Sequence, residues 1–348
     1  MSVVTMADVA KAAKVSRPTV SMVLNGCAEK WRVGAETSKR ILQVAEKLGY
    51  RKNLIARSMA TGKTDLIGIV GSLDESFGAD ILRGIAEVTD RNNYSLKYFR
   101  GETATELEEI ARNCVGQRLS GVICHLNDFN PALTRELSAA DIPLVHVDNY
   151  GADGSFSCVG SDDFGGAIKA VEYLHGLGHR RIAHITCDLG CVFAKLRHDG
   201  FCAGLKACGV GFDSSLLGIV GDESEITSAF RRVVKKILKA GPTALFCGGD
   251  PIAMKTLKIA VESGVRIPEE LSIIGFAGLD YTQWTVPALT TVRQPFVEMG
   301  RIAAEVLLSE IKDGTPCREV KLPVELVIRD STAIAKKQTK TKGSLKEN

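Results

Sequence analysis

The 348-residue chain lacks any apolar run long enough to cross a membrane, and its first residues lack the apolar stretch that a secretory signal needs. These two absences argue against a membrane protein and against a secreted one. The C-terminal segment also lacks leucine heptads, so a coiled-coil tail that would join dimers into tetramers is not expected. We expect a cytoplasmic protein that makes no contact with a membrane.

Motifs of the common enzyme classes are absent as well. The sequence contains neither a Gly-x-Ser-x-Gly nucleophile elbow nor a His-Glu-x-x-His zinc helix. Residues 61–64, Thr-Gly-Lys-Thr, resemble the end of a phosphate-binding loop, but that motif needs a glycine at the position of Arg57. The ten cysteines form no Cys-x-x-Cys pair, and residues such as Cys187 and Cys191 fit small buried thiols in a reducing compartment. We predict no catalytic residue, no cofactor and no metal site.

Two short helices are predicted near the N-terminus. Thr5 and Asp8 have the spacing of a capping box, so the first helix should begin at Met6. Ser16 supplies a new cap for a second helix, and Pro18 is tolerated in its first turn because that position needs no amide hydrogen. The two helices are short enough to share one small core.

The second of these helices has an apolar side and a polar side. Its predicted inward residues are Val20, Val23 and Leu24, and its predicted outward residues are Arg17, Pro18, Ser21 and Met22. A helix-turn-helix inserts this N-terminal half of its second helix into the major groove of DNA. The pattern therefore predicts double-stranded DNA as a partner.

Positive charge is concentrated in the same part of the chain. Residues 1–63 hold twelve basic and four acidic side chains, a net charge of +8, although the whole chain carries only +3. Basic groups neutralise DNA phosphates and release counterions, which gives affinity without sequence preference. The segregation of charge favours DNA binding by this segment.

A third helix is predicted from Gly34 to about Leu48, with Gly49 as its stop. Its predicted packing stripe is Ile41, Leu42, Val44, Ala45 and Leu48. Three such helices suffice for a DNA-binding headpiece. Residues 53–62 have the composition of one or two helical turns but are too few to be stable alone, so we expect them to order only on docking.

Residues 65–335 have a different pattern, in which short apolar runs alternate with helical stretches. The runs are 66–70, 121–124, 143–147, 181–185, 244–247 and 271–274. Runs buried on both faces and separated by helices predict parallel sheets in doubly wound α/β layers. The length exceeds one core, so we predict two lobes with a ligand between them at the carboxyl ends of the strands.

Sequence landmarks along nearly the whole chain resemble the lactose-repressor (LacI/GalR) family. The N-terminal landmarks are Asp8-Val-Ala, Val15-Ser16, Thr19-Val20-Ser21, Val-Leu-Asn25, Leu48-Gly49-Tyr50 and Ala56-Arg57-Ser58. The later ones are Leu82-Arg-Gly84-Ile85, 178–183, 197–201, 273–276 and 287–295. The resemblance implies an all-α helix-turn-helix headpiece followed by a periplasmic-binding-protein-like α/β core.

The same resemblance implies the domain boundaries. The headpiece would span 1–52, the hinge helix 53–64 and the effector-binding core 65–335, with a basic, disordered tail at 336–348. Within the core, the N-lobe would comprise about 65–161 and 294–323, and the C-lobe about 162–293 and 324–335.

DNA contacts follow position by position from the resemblance. They are Thr5, Ser16, Arg17, Pro18, Thr19, Ser21, Met22, Asn25, Ala56, Arg57 and Met59. Met59 stands where the family has the leucine that wedges between the central base steps of the minor groove. Met22 replaces a polar reader and fits a thymine methyl, whereas Arg17 is available for a guanine edge or a phosphate. The loop 26–33 is longer than the family's usual turn, and its sequence is compatible with a phosphate contact or a dimer contact.

The effector cleft carried over in the same way would be lined by nine residues. These are Phe77, His125, Asp148, Cys191, Phe193, Arg197, Glu223, Asp250 and Gln294. The guanidinium of Arg197 is suited to a carboxylate, a phosphate or paired sugar hydroxyls, and the alternative is a structural ion pair. Phe77 is suited to stacking on a sugar or to core filling, and His125 to either a binding or a structural role.

Two departures weaken the inference of a free hexose as ligand. Ala277-Gly278 stand where sugar-responsive members place an aspartate pair, and Gly249 stands where they have asparagine. An altered sugar, a sugar acid and a phosphorylated ligand therefore stay open, with Asp280 as a substitute carboxylate from a shifted loop.

These inferences together predict a sequence-specific DNA-binding transcriptional regulator, expected to act as a repressor. A homodimer would bind an inverted-repeat operator, and a small molecule, a sugar or a sugar derivative, would control its affinity by binding between the lobes. The alternative is a secreted solute-binding protein, which the missing signal sequence disfavours.

Overall fold

The computed structural model describes residues 4–26, 28–51, 64–71, 76–101, 103–126, 130–148, 156–221, 225–314 and 317–336. The chain divides into two compact units, Met1–Thr64 and Asp65–Asn348. Among the described residues, no helix has both the length and the apolar character needed to span a bilayer.

The described residues of the first unit form three helices, α1 (Met6–Ala13), α2 (Arg17–Leu24) and α3 (Ala35–Lys47). The predicted capping box is confirmed, because Thr5 and Asp8 exchange side-chain and backbone hydrogen bonds at the start of α1. Ser16 caps α2 by accepting from the amide of Thr19. The shared core is formed by Val9, Ala10, Ala13, Val20, Val23, Ile41 and Ala45.

Two of the five packing residues predicted for α3 are wrong. Ile41 and Ala45 are buried, but Leu42 is 52% exposed and Leu48 is 38% exposed. Leu42 lies about 100° around the helix from Ile41, which turns its side chain away from α1 and α2. Leu48 is the C-cap residue, beyond the last turn that packs on the core.

The second unit alternates strands and helices. In chain order its first half contains β1 (Leu66–Gly71), α4 (Ser76–Arg91), β2 (Ser95–Phe99), α5 (Ala104–Gly116), β3 (Gly121–His125), α6 (Pro131–Ala139), β4 (Leu144–Val147), β5 (Ser157–Ser161), α7 (Asp163–Gly176), β6 (Ile182–Thr186) and α8 (Val192–Ala207). Its second half contains β7 (Leu217–Ile219), α9 (Ser228–Lys239), β8 (Ala244–Cys247), α10 (Asp250–Glu262), β9 (Ser272–Ala277), β10 (Thr290–Arg293), α11 (Phe296–Asp313), β11 (Glu319–Leu322) and β12 (Glu325–Val327).

The strands in the described part of the chain form two six-stranded sheets, one in each lobe. The first sheet has the order β11-β5-β4-β3-β1-β2 and is parallel throughout. The second has the order β12-β10-β9-β8-β6-β7 and is parallel except for β12, which pairs antiparallel with β10. The predicted doubly wound α/β fold is confirmed, with β12 as an antiparallel edge that the prediction did not include.

Helices cover both faces of each sheet. In the first lobe, α4 and α11 pack on one face and α5 and α6 on the other. A Cβ at Gly84 would lie 1.9 Å from the carbonyl oxygen of Val297, and one at Gly300 would lie 2.0 Å from that of Ile81. These glycines let α4 and α11 approach closely. In the second lobe, α7 and α8 cover one face, and α9 and α10 cover the other.

Candidate functional site

The N-terminal half of α2 presents polar groups away from the headpiece core. Arg17 and Pro18 are exposed, whereas Ser21 and Met22 are half-buried. The opposite side of the helix buries Val20. The face available to a partner therefore starts with a guanidinium and a rigid proline ring, and Met22 contributes only part of its surface.

The hydroxyl groups on this face already make local hydrogen bonds. The hydroxyls of Ser16 and Thr19 are 2.7 Å apart, and the side-chain amide of Asn25 donates to the hydroxyl of Ser21 at 3.2 Å. Such bonds fix the side-chain rotamers while leaving further lone pairs for a partner. Ala56, Arg57 and Met59, which were predicted to contact DNA, lie outside the described residues.

A second candidate site lies where the two lobes meet. Ligands of open α/β sheets bind at the carboxyl ends of strands where the strand order reverses. In the first sheet this point falls between β1 and β3. Phe77 lies in the helix that follows β1, and His125 is the last residue of β3. In the second it falls between β6 and β8, which precede Arg197 and Asp250.

Arg197 is the best anchored of the predicted ligand-binding residues. It is 5% exposed, and its Nε donates to Asp163 at 2.7 Å while Nη1 donates to the carbonyl of Gly248 at 2.7 Å. Its guanidinium carbon lies 4.0 Å from the ring centroid of Phe276 and 4.9 Å from that of Phe193. The structure therefore contains the ion pair that was considered as the alternative role for Arg197. Two of its five N–H groups have no acceptor among the described residues, so the guanidinium can still bind a ligand.

Gln294 connects this arginine to the first lobe. Its side-chain oxygen accepts from Nη2 of Arg197 at 3.1 Å, and its Nε2 donates to the hydroxyl of Ser161 at 2.9 Å. The same Nε2 lies 3.3 Å and 3.4 Å from the two carboxylate oxygens of Asp148. One side-chain amide thus bridges a helix of the second lobe and strand ends of the first.

The carboxyl groups of Asp148 and Asp163 at this junction have raised pKa values. Burial raises the pKa of Asp163 to about 7, although the Arg197 guanidinium opposes the rise and the Asp148 carboxylate adds to it. Burial also raises the pKa of Asp148, again against the effect of Arg197. Two carboxylates facing one guanidinium compete for a single positive charge. The site can therefore exchange a proton near neutral pH.

The Asp250 carboxylate already accepts three hydrogen bonds from the protein. One carboxylate oxygen accepts from the amides of Gly278 and Leu279 at 2.8 Å and 2.9 Å, and the other accepts from the hydroxyl of Thr291 at 2.6 Å. Burial raises its pKa, which these hydrogen bonds oppose. The structure gives Asp250 a role in holding the turn after β9, next to the junction.

Four further predicted residues, Phe77, His125, Cys191 and Phe193, lie in the described part of the chain. Phe77 stacks on Phe296 with ring centroids 5.0 Å apart and meets the ring of His125 edge-on at 5.3 Å. Cys191 is the N-cap residue of α8 and packs, like Phe193, against the core of the second lobe. Glu223 lies outside the described residues.

The backbone of the turn after β9 is incompatible with the aspartate pair of the sugar-binding pattern. Ala277 and Gly278 both have positive φ angles, of 132° and 77°. A Cβ at Gly278 would lie 2.6 Å from atoms of Arg293, so this position has no room for an aspartate. Asp280 is exposed at the start of the 3-10 helix Asp280–Trp284.

Sequence reasoning missed several groups at the junction. Asp163 and Ser161 were not predicted, nor was Thr186, whose hydroxyl is fully buried at the end of β6 and has no hydrogen-bond partner within the described residues. The signal for Asp163 was the Ser161-Asp-Asp sequence after a buried strand, where two acids open a helix. For Thr186 the sequence contains no signal.

Two family descriptions match this sequence. Bacterial regulatory proteins of the lacI family match residues 5–53, and the periplasmic binding protein-like domain matches residues 171–332. The HTH-type transcriptional repressor PurR of Aliivibrio fischeri (strain MJ11) is 33% identical over 340 residues, with 94% of this chain and 98% of PurR covered.

Solved structures of transcriptional regulators are similar to this chain over nearly its whole length. The lac repressor dimer bound to operator and the anti-inducer ONPF is similar with a TM-score of 0.81 at 26% identity, and 95% of this chain and 100% of that one are covered. The complex of the transcriptional regulator CelR with cellobiose has a TM-score of 0.71 at 27% identity, with coverage of 94% and 99%.

Proposed function

Because this chain belongs to the LacI family of bacterial regulatory proteins, we propose that it is a transcriptional repressor whose operator affinity is set by a small molecule. The proposed parts are a DNA-binding headpiece (1–52), a hinge (53–64), an effector-binding core (65–335) and a basic tail (336–348). Its N-lobe is about 65–161 and 294–323, and its C-lobe about 162–293 and 324–335. The proposal assigns no catalytic step to the chain and locates it in the cytoplasm with the chromosome.

The proposal that the headpiece binds DNA rests on the amphipathic character of α2. One side of the helix holds the headpiece core through Val20 and Val23, and the other leaves Arg17 and Pro18 exposed in a segment with a net charge of +8. A short helix that is polar on its free side fits the major groove, where its N-terminal residues contact base edges. We propose Arg17, Ser21 and Met22 as the base-reading residues.

The protein binds DNA as a homodimer, and two headpieces match an operator with two-fold symmetry. On the second lobe, Trp284 is 73% exposed and Val286 is 88% exposed. Apolar side chains at such exposure are costly in water, and a second copy would cover them. We propose that this surface contributes to the dimer interface of the core.

The effector, in this proposal, is a sugar or a sugar derivative bound at the junction of the lobes. Support comes from the two unused N–H groups of Arg197, from the half-buried Asp148 and from the cellobiose bound to the similar CelR. A ligand that replaces part of the Gln294 bridge would change the relative free energy of two lobe arrangements. It would alter DNA binding only through its different affinity for those arrangements.

The proposal is tested by selecting bound duplexes from a random pool with the full-length protein at physiological salt. We expect enrichment of an inverted repeat, which then serves as the probe in a screen of sugars, sugar acids and sugar phosphates. The matched variant Arg17→Ala should enrich a weaker or altered repeat because it lacks the exposed guanidinium of α2. Failure of the wild-type protein to enrich any sequence, with and without the candidate ligands, would overturn the proposal.

A further inference from the structure

The turn between α2 and α3 presents a tryptophan to solvent on a well-held backbone. The amide of Val33 donates to the carbonyl of Ala28 at 2.9 Å, and the amide of Arg32 donates to that of Glu29 at 3.0 Å. Ala28 and Val33 are partly buried against the headpiece core, whereas Trp31 is 59% exposed. The base of the turn is thus fixed to the core, and its tip carries an indole that the core does not use.

Cations flank this indole. Lys30 and Arg32 are both exposed, against one exposed acid, Glu29, in the same turn. Arg32 has a φ angle of 53°, a left-handed conformation that is costly for a residue with a side chain. The turn therefore keeps a strained arginine, an exposed tryptophan and an exposed lysine together without any benefit to the headpiece core. Such a group is better explained by a partner than by folding.

The length of α2 indicates where the turn would lie on DNA. Its eight residues span about 12 Å, which is about the width of the major groove. When the N-terminal half of α2 is in the groove, its C-terminal end reaches the phosphates at the groove edge. The turn begins a few residues beyond Leu24, so its tip is expected to face the sugar-phosphate backbone.

We propose that Lys30 and Trp31 form a second DNA contact, against the sugar-phosphate backbone beside the recognition helix. The indole covers a deoxyribose and its N–H donates to a phosphate oxygen, while the Lys30 ammonium neutralises a neighbouring phosphate. This contact rests on the proposed function, because it assumes that α2 enters the major groove. It adds affinity without reading bases, since every nucleotide presents the same backbone.

The test uses the full-length protein with two duplexes of equal length, the selected operator and a scrambled sequence. Trp31→Ala should weaken binding to both by a similar factor, at least about fivefold, because a buried aromatic anchor commonly contributes this much. Lys30→Ala should reduce the magnitude of the slope of log affinity against log salt by about two, because each headpiece of the dimer loses one phosphate contact, whereas Trp31→Ala should leave the slope unchanged. Leu42→Ala, at a comparably exposed apolar residue on α3, is the matched control and should change neither quantity.

Fluorescence gives an independent measurement of the same contact. The chain has only two tryptophans, so the difference between wild-type and Trp31→Phe spectra reports Trp31. We expect this difference signal to shift or be quenched when the operator is added. Wild-type binding with unimpaired Trp31→Ala binding and an unchanged difference signal would overturn the contact alone, and would point to a protein partner for the turn. A wild-type protein that binds neither duplex would overturn both the contact and the proposed function.

Discussion

The side-chain oxygen of Gln294 accepts a hydrogen bond from Nη2 of Arg197 at 3.1 Å. Gln294 directly follows β10 of the second sheet, and its Nε2 reaches Ser161 at the end of β5 in the first. Arg197 is in turn fixed to Asp163. A chain of side-chain contacts therefore runs from one lobe to the other through a single amide, at the place where a ligand is expected.

Gln294→Met tests this bridge, because methionine has a similar volume but makes neither hydrogen bond. We expect the free energy of unfolding of the core to fall by about 1–3 kcal/mol, since Arg197 and Ser161 each lose a buried partner. The effector concentration at half-maximal response should also shift. Denaturant unfolding and effector titration against operator binding measure the two effects, with Gln283→Met at an exposed glutamine as control. Equal stability and equal response in both variants would exclude a coupling role for Gln294.

Arg197→Met removes the guanidinium and leaves the Asp163 carboxylate buried without its partner. At pH 8, where Asp163 is ionised, breaking a buried pair in this way typically costs about 3–5 kcal/mol, so we expect a strongly destabilised core. Combining Arg197→Met with Asp163→Asn should recover part of that loss, which a double-mutant cycle measures. Arg197 belongs to the effector-binding core and not to the headpiece, whose hydrophobic core is separate, so variant protein that stays folded should keep operator binding while the effector response disappears. A normal effector response would remove Arg197 from the ligand site.

The raised pKa of Asp163 predicts how stability depends on pH. The folded protein keeps this proton up to about pH 7, whereas an ordinary aspartate loses it near about pH 4. The contribution to stability is therefore complete below roughly pH 4 and is lost as the pH rises through about 7. Its slope cannot exceed about 1.4 kcal/mol per pH unit for one proton.

Denaturant unfolding between pH 5 and pH 8 measures this slope in the wild type and in Asp163→Asn. The variant should be less stable overall because Arg197 loses its carboxylate, but its free energy of unfolding should vary less with pH. Asp213→Asn is a suitable control, because hydrogen bonds from Ser215 lower the pKa of that exposed carboxyl. Wild-type and Asp163→Asn curves that run parallel would show that Asp163 does not carry the proton.

Much of the fold was predictable because burial on both faces leaves a simple apolar pattern. Each of the six apolar runs overlaps a strand of the observed sheets. The strands that the pattern did not single out are of two kinds. Four of them lie at sheet edges and each includes exposed residues, which interrupt an apolar run: 95–99, 217–219, 319–322 and 325–327. Buried strands 157–161 and 290–293 are rich in serine, threonine and glycine, whose small polar side chains give no apolar run.

For the candidate site, the sequence proposes single positions but not the contacts that join them. The family resemblance points to Arg197 and Gln294. It does not reveal that Asp163 accepts a hydrogen bond from the Arg197 guanidinium. Nor does it reveal that the Asp250 carboxylate accepts from the turn at Gly278. These pairings join residues far apart in the sequence, and their hydrogen-bond geometry depends on how the lobes pack. In the headpiece, the exposure of Leu42 shows the same limit, because an apolar residue at near-helical spacing can still point to water.

Gly278→Asp tests whether the sugar-binding pattern can be rebuilt by sequence alone. The new Cβ would overlap Arg293, and the positive φ angle of 77° disfavours a side chain. We expect the substitution to destabilise the core by about 1–3 kcal/mol without creating affinity for a free hexose. Thermal unfolding and calorimetric titration with glucose, galactose and ribose measure both quantities. A stable variant that gained hexose binding would contradict this steric account of the turn.

Met59, in the proposed hinge, separates specific from nonspecific DNA binding. An apolar wedge is useful only where the duplex is kinked at the operator centre, and a carboxylate cannot replace it among stacked bases. Met59→Glu should therefore weaken operator binding by far more than binding to a scrambled duplex, which depends on phosphate contacts. Met59→Leu keeps an apolar side chain and should retain most of the specific affinity. Competition binding at several salt concentrations compares the two variants. Because added charge alone would weaken both duplexes equally, only an unequal loss supports the wedge, and an equal loss would assign Met59 to a role outside the minor groove.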